Sequence, residues 1–166
     1  MIKSKKNEMK MEFDSKSNNE AFARISVAAF ASQLDPTIEE IADIKTSVSE
    51  AVTNSIIHAY PNRTGLVKIR AILYEDEVEI EVSDNGEGIE NIDEAKEPLF
   101  TTKCNLERSG MGFTIMENFM DNLKVESIVG LGTKVTMTKK IKKVHNWFTK
   151  IKKEERYEHL IKCHTK

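Results

Sequence analysis

SEAVTNSIIHAY, residues 49–60, ends the longest helical pattern of the chain. Thr37 and Glu40 match a capping box at the start of that pattern. Between them and the quoted stretch, five residues fall three or four apart, which places them on one face of a helix: Ile41, Ile44, Val48, Val52 and Ser55. The sequence therefore predicts one long helix from Thr37 to roughly His58.

Glu50 and Asn54 lie four residues apart on this helix, so they share one face. That face is offset from the apolar stripe, and a carboxylate and a carboxamide therefore point together away from the core. An asparagine carbonyl can bind a hard cation such as magnesium, and a neighbouring glutamate can accept a proton. Taken alone, the pair is also ordinary for the solvent side of an amphipathic helix.

Two further helices are predicted. Ser17 and Glu20 match a second capping box, and an apolar-periodic run follows it to about Leu34. Met111 to about Asp121 predicts the third helix. Alternating apolar and polar residues predict five strands, at 10–13, 67–73, 78–82, 123–125 and 134–137. This order predicts an α/β fold, a two-layer sandwich whose mixed, mostly antiparallel sheet is covered on one face by helices.

Three glycine-containing segments are candidate ligand sites. Asp84-Asn85-Gly86-Glu87-Gly88-Ile89 follows a strand, where the backbone can approach a flat ligand and the aspartate can accept from an exocyclic amine. A simple turn leaving the sheet is the alternative. Arg108-Ser109-Gly110-Met111-Gly112-Phe113 opens a helix whose free N–H groups can bind phosphate, although glycine is also common at helix caps. Gly130-Leu131-Gly132-Thr133 is typical of a hairpin turn.

Composition and charge exclude several classes of protein. The 166 residues suit one compact domain with an appended tail, and no apolar run approaches the roughly 18 residues that span a bilayer. Cys104 and Cys163 lack the spacing of a metal site or a disulfide framework, which favours a reducing cytoplasm. Residues 139–166 carry a net charge of +7 and the remainder −9, and an acidic body argues against direct nucleic-acid binding.

Four motifs in this order, SEAVTNSIIHAY, DNGEGI, ERSGMGFTIM and GLGT, resemble those of the GHKL superfamily, the ATP-binding fold shared by gyrase and histidine kinases. SNNEAFARISVAAF, QLDPTIEEI and EPLFTTK narrow the resemblance to the bacterial anti-sigma factor serine kinases of sporulation. The resemblance covers about Glu8 to Lys140. It predicts a GHKL kinase domain over residues 8–140 and a basic C-terminal extension over residues 141–166.

The resemblance implies roles for individual residues. Glu50 would be the catalytic base, Asn54 the magnesium ligand, and Asp84 the acceptor of the adenine amine. Residues from Asp93 to Arg108 would form a lid over the nucleotide. The other ATP-binding residues implied are Gly86, Gly88, Thr101, Thr102, Lys103, Arg108, Gly110, Gly112 and Thr133.

The resemblance also implies an activity and partners. Similar proteins are homodimeric, hold a sigma factor away from RNA polymerase, and phosphorylate an anti-anti-sigma protein on serine with ATP and Mg²⁺. Arg24 matches a partner-binding position, although a solvated helix arginine is nearly as good an interpretation. Two alternatives stay open: the same activity in a general stress-response switch, and a non-enzymatic antagonist that binds nucleotide only to set its conformation. The intact Glu50 and Asn54 pair favours the enzyme.

His58 and the C-terminal extension each have an interpretation of their own. His58 is interpreted as a helix-end residue, favourable to the helix dipole or close to the phosphates, rather than as a phosphoacceptor. In the C-terminal extension, Ile141, Val144, Phe148 and Ile151 lie three or four apart among lysines. This spacing allows a basic amphipathic helix, but a solvated, frayed extension is the favoured interpretation, and the extension is expected to be dispensable for catalysis.

Overall fold

A computed structural model describes residues 3–97 and 110–142. The predictions for Thr101, Thr102, Lys103 and Arg108, for most of the lid, and for residues 143–166 lie outside this described part. None of the helices within it is long and apolar enough to cross a membrane.

The described part of the chain contains five strands, which form a single sheet. They are β1 (Asn7–Asp14), β2 (Leu66–Leu73), β3 (Glu77–Asp84), β4 (Asn122–Ile128) and β5 (Gly132–Lys140). The spatial order is β1-β2-β3-β5-β4, and each of the four neighbouring pairs among these strands is antiparallel. The predicted α/β fold is confirmed, and the strands lie where the alternation places them.

Within residues 3–97 and 110–142, four α-helices accompany the sheet: α1 (Asn18–Ala31), α2 (Ile38–His58), α3 (Ile92–Lys96) and α4 (Gly112–Phe119). The predicted stripe of α2 is buried as expected, with Ile44, Val48 and Val52 fully inside the core. They pack with apolar side chains from one face of the sheet, including Ile69 and Ile80. Burial of each such side chain contributes roughly 1.5–3 kcal/mol, so this interface fixes where α2 lies on the sheet.

The opposite face of the sheet is charged. Glu8 accepts a hydrogen bond from Arg70 Nε at 2.6 Å and from Lys5 Nζ at 2.7 Å. The bonds from Lys5 and Arg70 lower the pKa of Glu8 to about 2. This face thus has the polarity of a solvated sheet surface, and the candidate ligand residues do not lie on it.

The two predicted capping boxes have different outcomes. At α2 the box is present, because Glu40 N–H donates to Thr37 Oγ1 at 3.1 Å and Thr37 N–H donates to Glu40 Oε2 at 2.8 Å. At α1 the prediction is wrong, since Ser17 makes no side-chain cap bond. Ser17 already has helical dihedral angles, φ −54° and ψ −32°. Glu20 instead accepts from Ser49 Oγ at 2.7 Å and pairs with Arg24 Nε at 2.9 Å.

Helix boundaries also differ from those predicted. The first helix ends at Ala31 and is followed by one 3₁₀ turn, Ser32–Leu34, after which Asp35 adopts φ 53°. The third predicted helix corresponds to α4. It ends at Phe119, because Asp121 N–H donates to Thr138 O and the chain then enters β4. The short helix α3 is not among the three helices that the sequence predicts. Its N-cap, Asn91, accepts from the Glu94 amide.

Candidate nucleotide-binding site

A cavity of about 930 Å³ opens beside the C-terminal half of α2. Helices α3 and α4, the loop after β3 and the start of β5 complete its walls. Seven of the residues with predicted ligand or catalytic roles line it: Glu50, Asn54, Asp84, Gly88, Gly110, Gly112 and Thr133. Residues far apart in sequence are therefore brought together around one volume, which is large enough for a nucleotide.

Glu50 and Asn54 face the start of helix α4. A Cβ atom added to Gly112 would lie 3.0 Å from Glu50 Oε2 and 3.3 Å from Asn54 Nδ2. A side chain at position 112 would therefore crowd both groups. The N–H groups in the first turn of α4 have no acceptor within the helix, and the positive end of the helix dipole adds to their attraction for anions.

Asp84 is buried at the end of β3, where three protein groups donate to its carboxylate. Its Oδ1 accepts from the amides of Gly86 at 3.0 Å and Thr133 at 3.2 Å. Its Oδ2 accepts from Ser55 Oγ at 2.9 Å. A carboxylate has about four acceptor sites, so the described residues leave one of them for a donor in the cavity, such as an exocyclic amine.

The loop after Asp84 packs tightly on both sides. A Cβ on Gly86 would lie 2.2 Å from the Ala59 carbonyl oxygen, so Gly86 supports the loop and does not line the cavity. Gly88 has φ 74°, a conformation that favours glycine, and a Cβ there would lie 2.4 Å from the carbonyl oxygen of Ile128. The glycines of this motif thus serve close backbone packing as well as ligand approach.

Three hydroxyl groups at this site were missed by the sequence reasoning. Ser55 is assigned by its spacing to the core stripe, yet its Oγ donates to Asp84. Tyr60 follows the predicted long helix and has no predicted role, yet its hydroxyl accepts from Asn85 N–H at 2.9 Å and donates to Leu66 O at 2.7 Å. Ser127 lies on β4 and contacts both Ile89 and Thr133. Of these three residues, only Ser55 is adjacent in sequence to a predicted site residue, Asn54.

Asn54 is the candidate magnesium ligand of the cavity. Magnesium is usually bound by one or two protein oxygens together with substrate phosphates and waters. The Asn54 amide lines the cavity beside the α4 terminus and fits such a role. Within residues 3–97 and 110–142, no group of three or more His, Cys, Asp and Glu side chains is arranged to hold a metal ion.

Of two other residues with a sequence-based interpretation, His58 lines the cavity and Arg24 lies apart from it. His58 is the last residue of α2 and lines the cavity, in agreement with its interpretation as a helix-end residue. Arg24 lies on α1 and does not line the cavity. Its side chain is about one-third exposed and pairs with Glu20. Phe22 and Ile25, on the same helix, are each more than half exposed.

Comparisons with known proteins give matches that cover most of the chain. A family model described as a histidine kinase-like ATPase domain matches residues 13–139. The chain is 62% identical over 135 residues to the anti-sigma F factor of Caldanaerobacter subterraneus subsp. tengcongensis, covering 81% of this chain and 94% of the relative. It is 61% identical over 134 residues to the anti-sigma F factor of Clostridium acetobutylicum, with the same coverage.

Solved structures share the fold at lower sequence identity. The RsbU and RsbW domains of a Mycobacterium tuberculosis protein superpose with a TM-score of 0.60 and 19% identity, covering 82% of this chain and 32% of that one. A mycobacterial sensor histidine kinase superposes with a TM-score of 0.51 and 14% identity, covering 81% of this chain and 99% of that one.

Proposed function

Because the chain belongs to the anti-sigma F factor family and carries a histidine kinase-like ATPase domain, we propose that it is a protein serine kinase dependent on ATP and Mg²⁺. In this proposal it binds and inhibits a sporulation sigma factor in the cytoplasm. It also phosphorylates the antagonist of that inhibition, an anti-anti-sigma protein, on a serine.

The observation that carries the proposal is the division of the cavity wall into two parts. Asp84, with one acceptor site left, forms the part suited to a nucleobase. Glu50, Asn54 and the start of α4 form the part suited to phosphates and to proton transfer. ATP bound with its adenine at Asp84 would direct its phosphate chain toward the second part.

Each residue of the second part has a definite task in phosphoryl transfer. The N–H groups at the start of α4 and the backbone around Gly110 bind the phosphate oxygens. Asn54 would hold Mg²⁺ through its side-chain oxygen, and the ion would supply neutralisation of the phosphate charge. Glu50 accepts the proton of the attacking serine hydroxyl as the new O–P bond forms and the bond to ADP breaks. The products are phosphoserine, ADP and the proton received by Glu50.

Partner binding is assigned to α1. Arg24 offers a guanidinium for a charge-assisted contact with an acidic protein surface, and the exposed Phe22 and Ile25 add apolar area beside it.

The homodimer proposed from the family resemblance is tested by light scattering of the purified chain. A mass corresponding to one copy at micromolar concentration would contradict it.

Phosphoryl transfer is tested with γ-labelled ATP, Mg²⁺ and an anti-anti-sigma protein as acceptor. Label on a serine of the acceptor supports the kinase, provided that an acceptor with that serine changed to alanine stays unlabelled. Capture of a sigma factor in the presence of nucleotide, without any transfer of label, would instead show a non-enzymatic antagonist.

A further inference from the structure

Ser127 lies outside the four nucleotide motifs, on β4, directly opposite Thr133 in the β4–β5 register. Its Oγ accepts from Ile89 N–H at 2.8 Å. The same oxygen lies 2.8 Å from Thr133 Oγ1 and 3.1 Å from Gly132 O. One hydroxyl therefore joins the loop after β3 to the first two residues of β5.

The hydrogen count of this hydroxyl limits what Thr133 can present to the cavity. Ser127 has one hydrogen and two lone pairs, and the Ile89 amide occupies one lone pair. When Ser127 donates to Gly132 O, its second lone pair accepts the Thr133 hydroxyl hydrogen. Thr133 Oγ1 then offers only lone pairs to the cavity. When Ser127 donates to Thr133 instead, the Thr133 hydrogen is available to a ligand.

Thr133 and the loop after β3 both contact Asp84. The Thr133 amide donates to Asp84 Oδ1 at 3.2 Å, and the loop amide of Gly86 donates to the same oxygen at 3.0 Å. The loop is also tied to the hairpin by the bond from Gly130 N–H to Glu87 O at 2.7 Å. The segments on either side of the Asp84 carboxylate are therefore held at a fixed separation through Ser127.

We infer that Ser127 is a positioning residue for nucleobase recognition. Its hydroxyl holds the 85–89 loop against β5 and orients the Thr133 hydroxyl beside Asp84. It lies behind Thr133 and is not among the residues that line the cavity. Its removal therefore changes nucleotide affinity and base discrimination, and leaves phosphoryl transfer from bound ATP intact. The inference rests on the proposed ATP site.

The test compares Ser127→Ala and Ser127→Thr in the full chain. Affinities are measured for ATP and for purine riboside triphosphate, which lacks the 6-amino group, and kcat is measured at saturating ATP. Loss of the hydroxyl leaves the Ile89 amide without its partner, so we expect ATP affinity to fall about tenfold in Ser127→Ala. We also expect the preference for ATP over the analogue to shrink and kcat to stay within about twofold of wild type. Ser127→Thr retains the hydroxyl and should restore both affinities.

Ser83→Ala is the matched control. Ser83 lies on the same sheet, one residue before Asp84, with its side chain among the charged residues of the opposite face. Thermal unfolding of all variants shows whether the fold is kept. Equal ATP affinities for Ser127→Ala and Ser83→Ala would overturn the inference, as would an unchanged ATP preference or failure of Ser127→Thr to restore binding. Absence of ATP binding by the wild type would instead overturn the proposed function.

Discussion

Each end of helix α2 has a buried carboxylate, and the two groups differ in where they lie relative to the cavity. Near the N-terminal end, Glu40 accepts from the amides of Thr37 and Lys142, one on each oxygen, and it does not line the cavity. Beside the C-terminal end, Asp84 accepts three protein donors, lines the cavity and retains one acceptor site there. Burial of a carboxylate therefore does not identify function; an acceptor site that faces the cavity does.

The two ends are well separated. Ser55 comes fifteen residues after Glu40 on α2, which corresponds to about 22 Å along the helix axis. Changes at one end should therefore act on stability and changes at the other on nucleotide chemistry, with little coupling between them.

The largest effect is expected for Glu50→Gln. Glutamine keeps the size of the side chain but cannot act as a base, so phosphoryl transfer should fall by about 10²–10⁴-fold. The thermal midpoint should stay close to wild type. Activity is measured at saturating ATP and protein acceptor. Turnover within threefold of wild type would show that another group takes the proton.

Asp84→Asn should act on affinity. The asparagine amide would present a donor either to the protein donors or to the adenine amine, and the buried mismatch costs roughly 1–3 kcal/mol. We expect ATP affinity to fall by about one to two orders of magnitude, and phosphorylation at low ATP to fall with it. Isothermal titration measures the affinity. Wild-type affinity in this variant would exclude Asp84 as the base-reading residue.

Glu40→Gln tests the other carboxylate of the comparison, the one near the N-terminal end of α2 that has no ligand role. The side-chain NH₂ would face one of two amide donors, so the free energy of unfolding should fall by roughly 1–3 kcal/mol while kcat is unchanged. Burial opposes ionisation of Glu40, but the backbone bonds from Lys142 and Thr37 outweigh it and lower its pKa.

A lowered pKa makes this stabilisation depend on pH in one direction. The folded state favours the ionised form, so the advantage of wild type over Glu40→Gln is complete above the usual carboxyl pKa of about 4.3. It declines as the pH falls through the lowered value. Denaturant unfolding between pH 7 and pH 3 measures the difference, and a gap that widened on acidification would contradict this assignment.

Arg24→Ala should weaken partner binding about tenfold through the loss of a charge-assisted contact, and ATP affinity should not change. Arg24 does not line the cavity. Surface plasmon resonance with a sigma factor and an anti-anti-sigma protein measures the effect. The matched control is Lys16→Ala, since Lys16 is also a basic side chain near the start of α1 and pairs with Asp14. Equal effects of the two changes would assign Arg24 to the solvated surface.

The smallest effect is expected for removal of residues 143–166. Ile141 is buried and the Lys142 amide donates to Glu40, so the chain leaves the described domain at the end of α2 far from the cavity. A chain ending at Lys142 should fold and bind ATP like the full chain. A tenfold loss of ATP affinity would show that the extension reaches the site.

The long helix and the five strands followed from sequence because each rests on local periodicity. The roles of the motif residues came instead from the family resemblance. Ser17 shows the limit of such patterns. Glu20 pairs with Arg24 one turn further along α1, and it accepts from Ser49 of α2, a contact that only tertiary packing creates. Ser127 shows a second limit. Its role depends on the β4–β5 register and on the approach of Ile89, and neither leaves a mark near position 127.

The measurement that tests the central claim most directly is an ATP titration of wild type, Glu50→Gln and Asp84→Asn under identical conditions. If base recognition and proton transfer occupy separate parts of one cavity, Glu50→Gln should bind ATP within about threefold of wild type. Asp84→Asn should bind at least about tenfold more weakly. Loss of binding in Glu50→Gln, with wild-type affinity in Asp84→Asn, would contradict this division of the site.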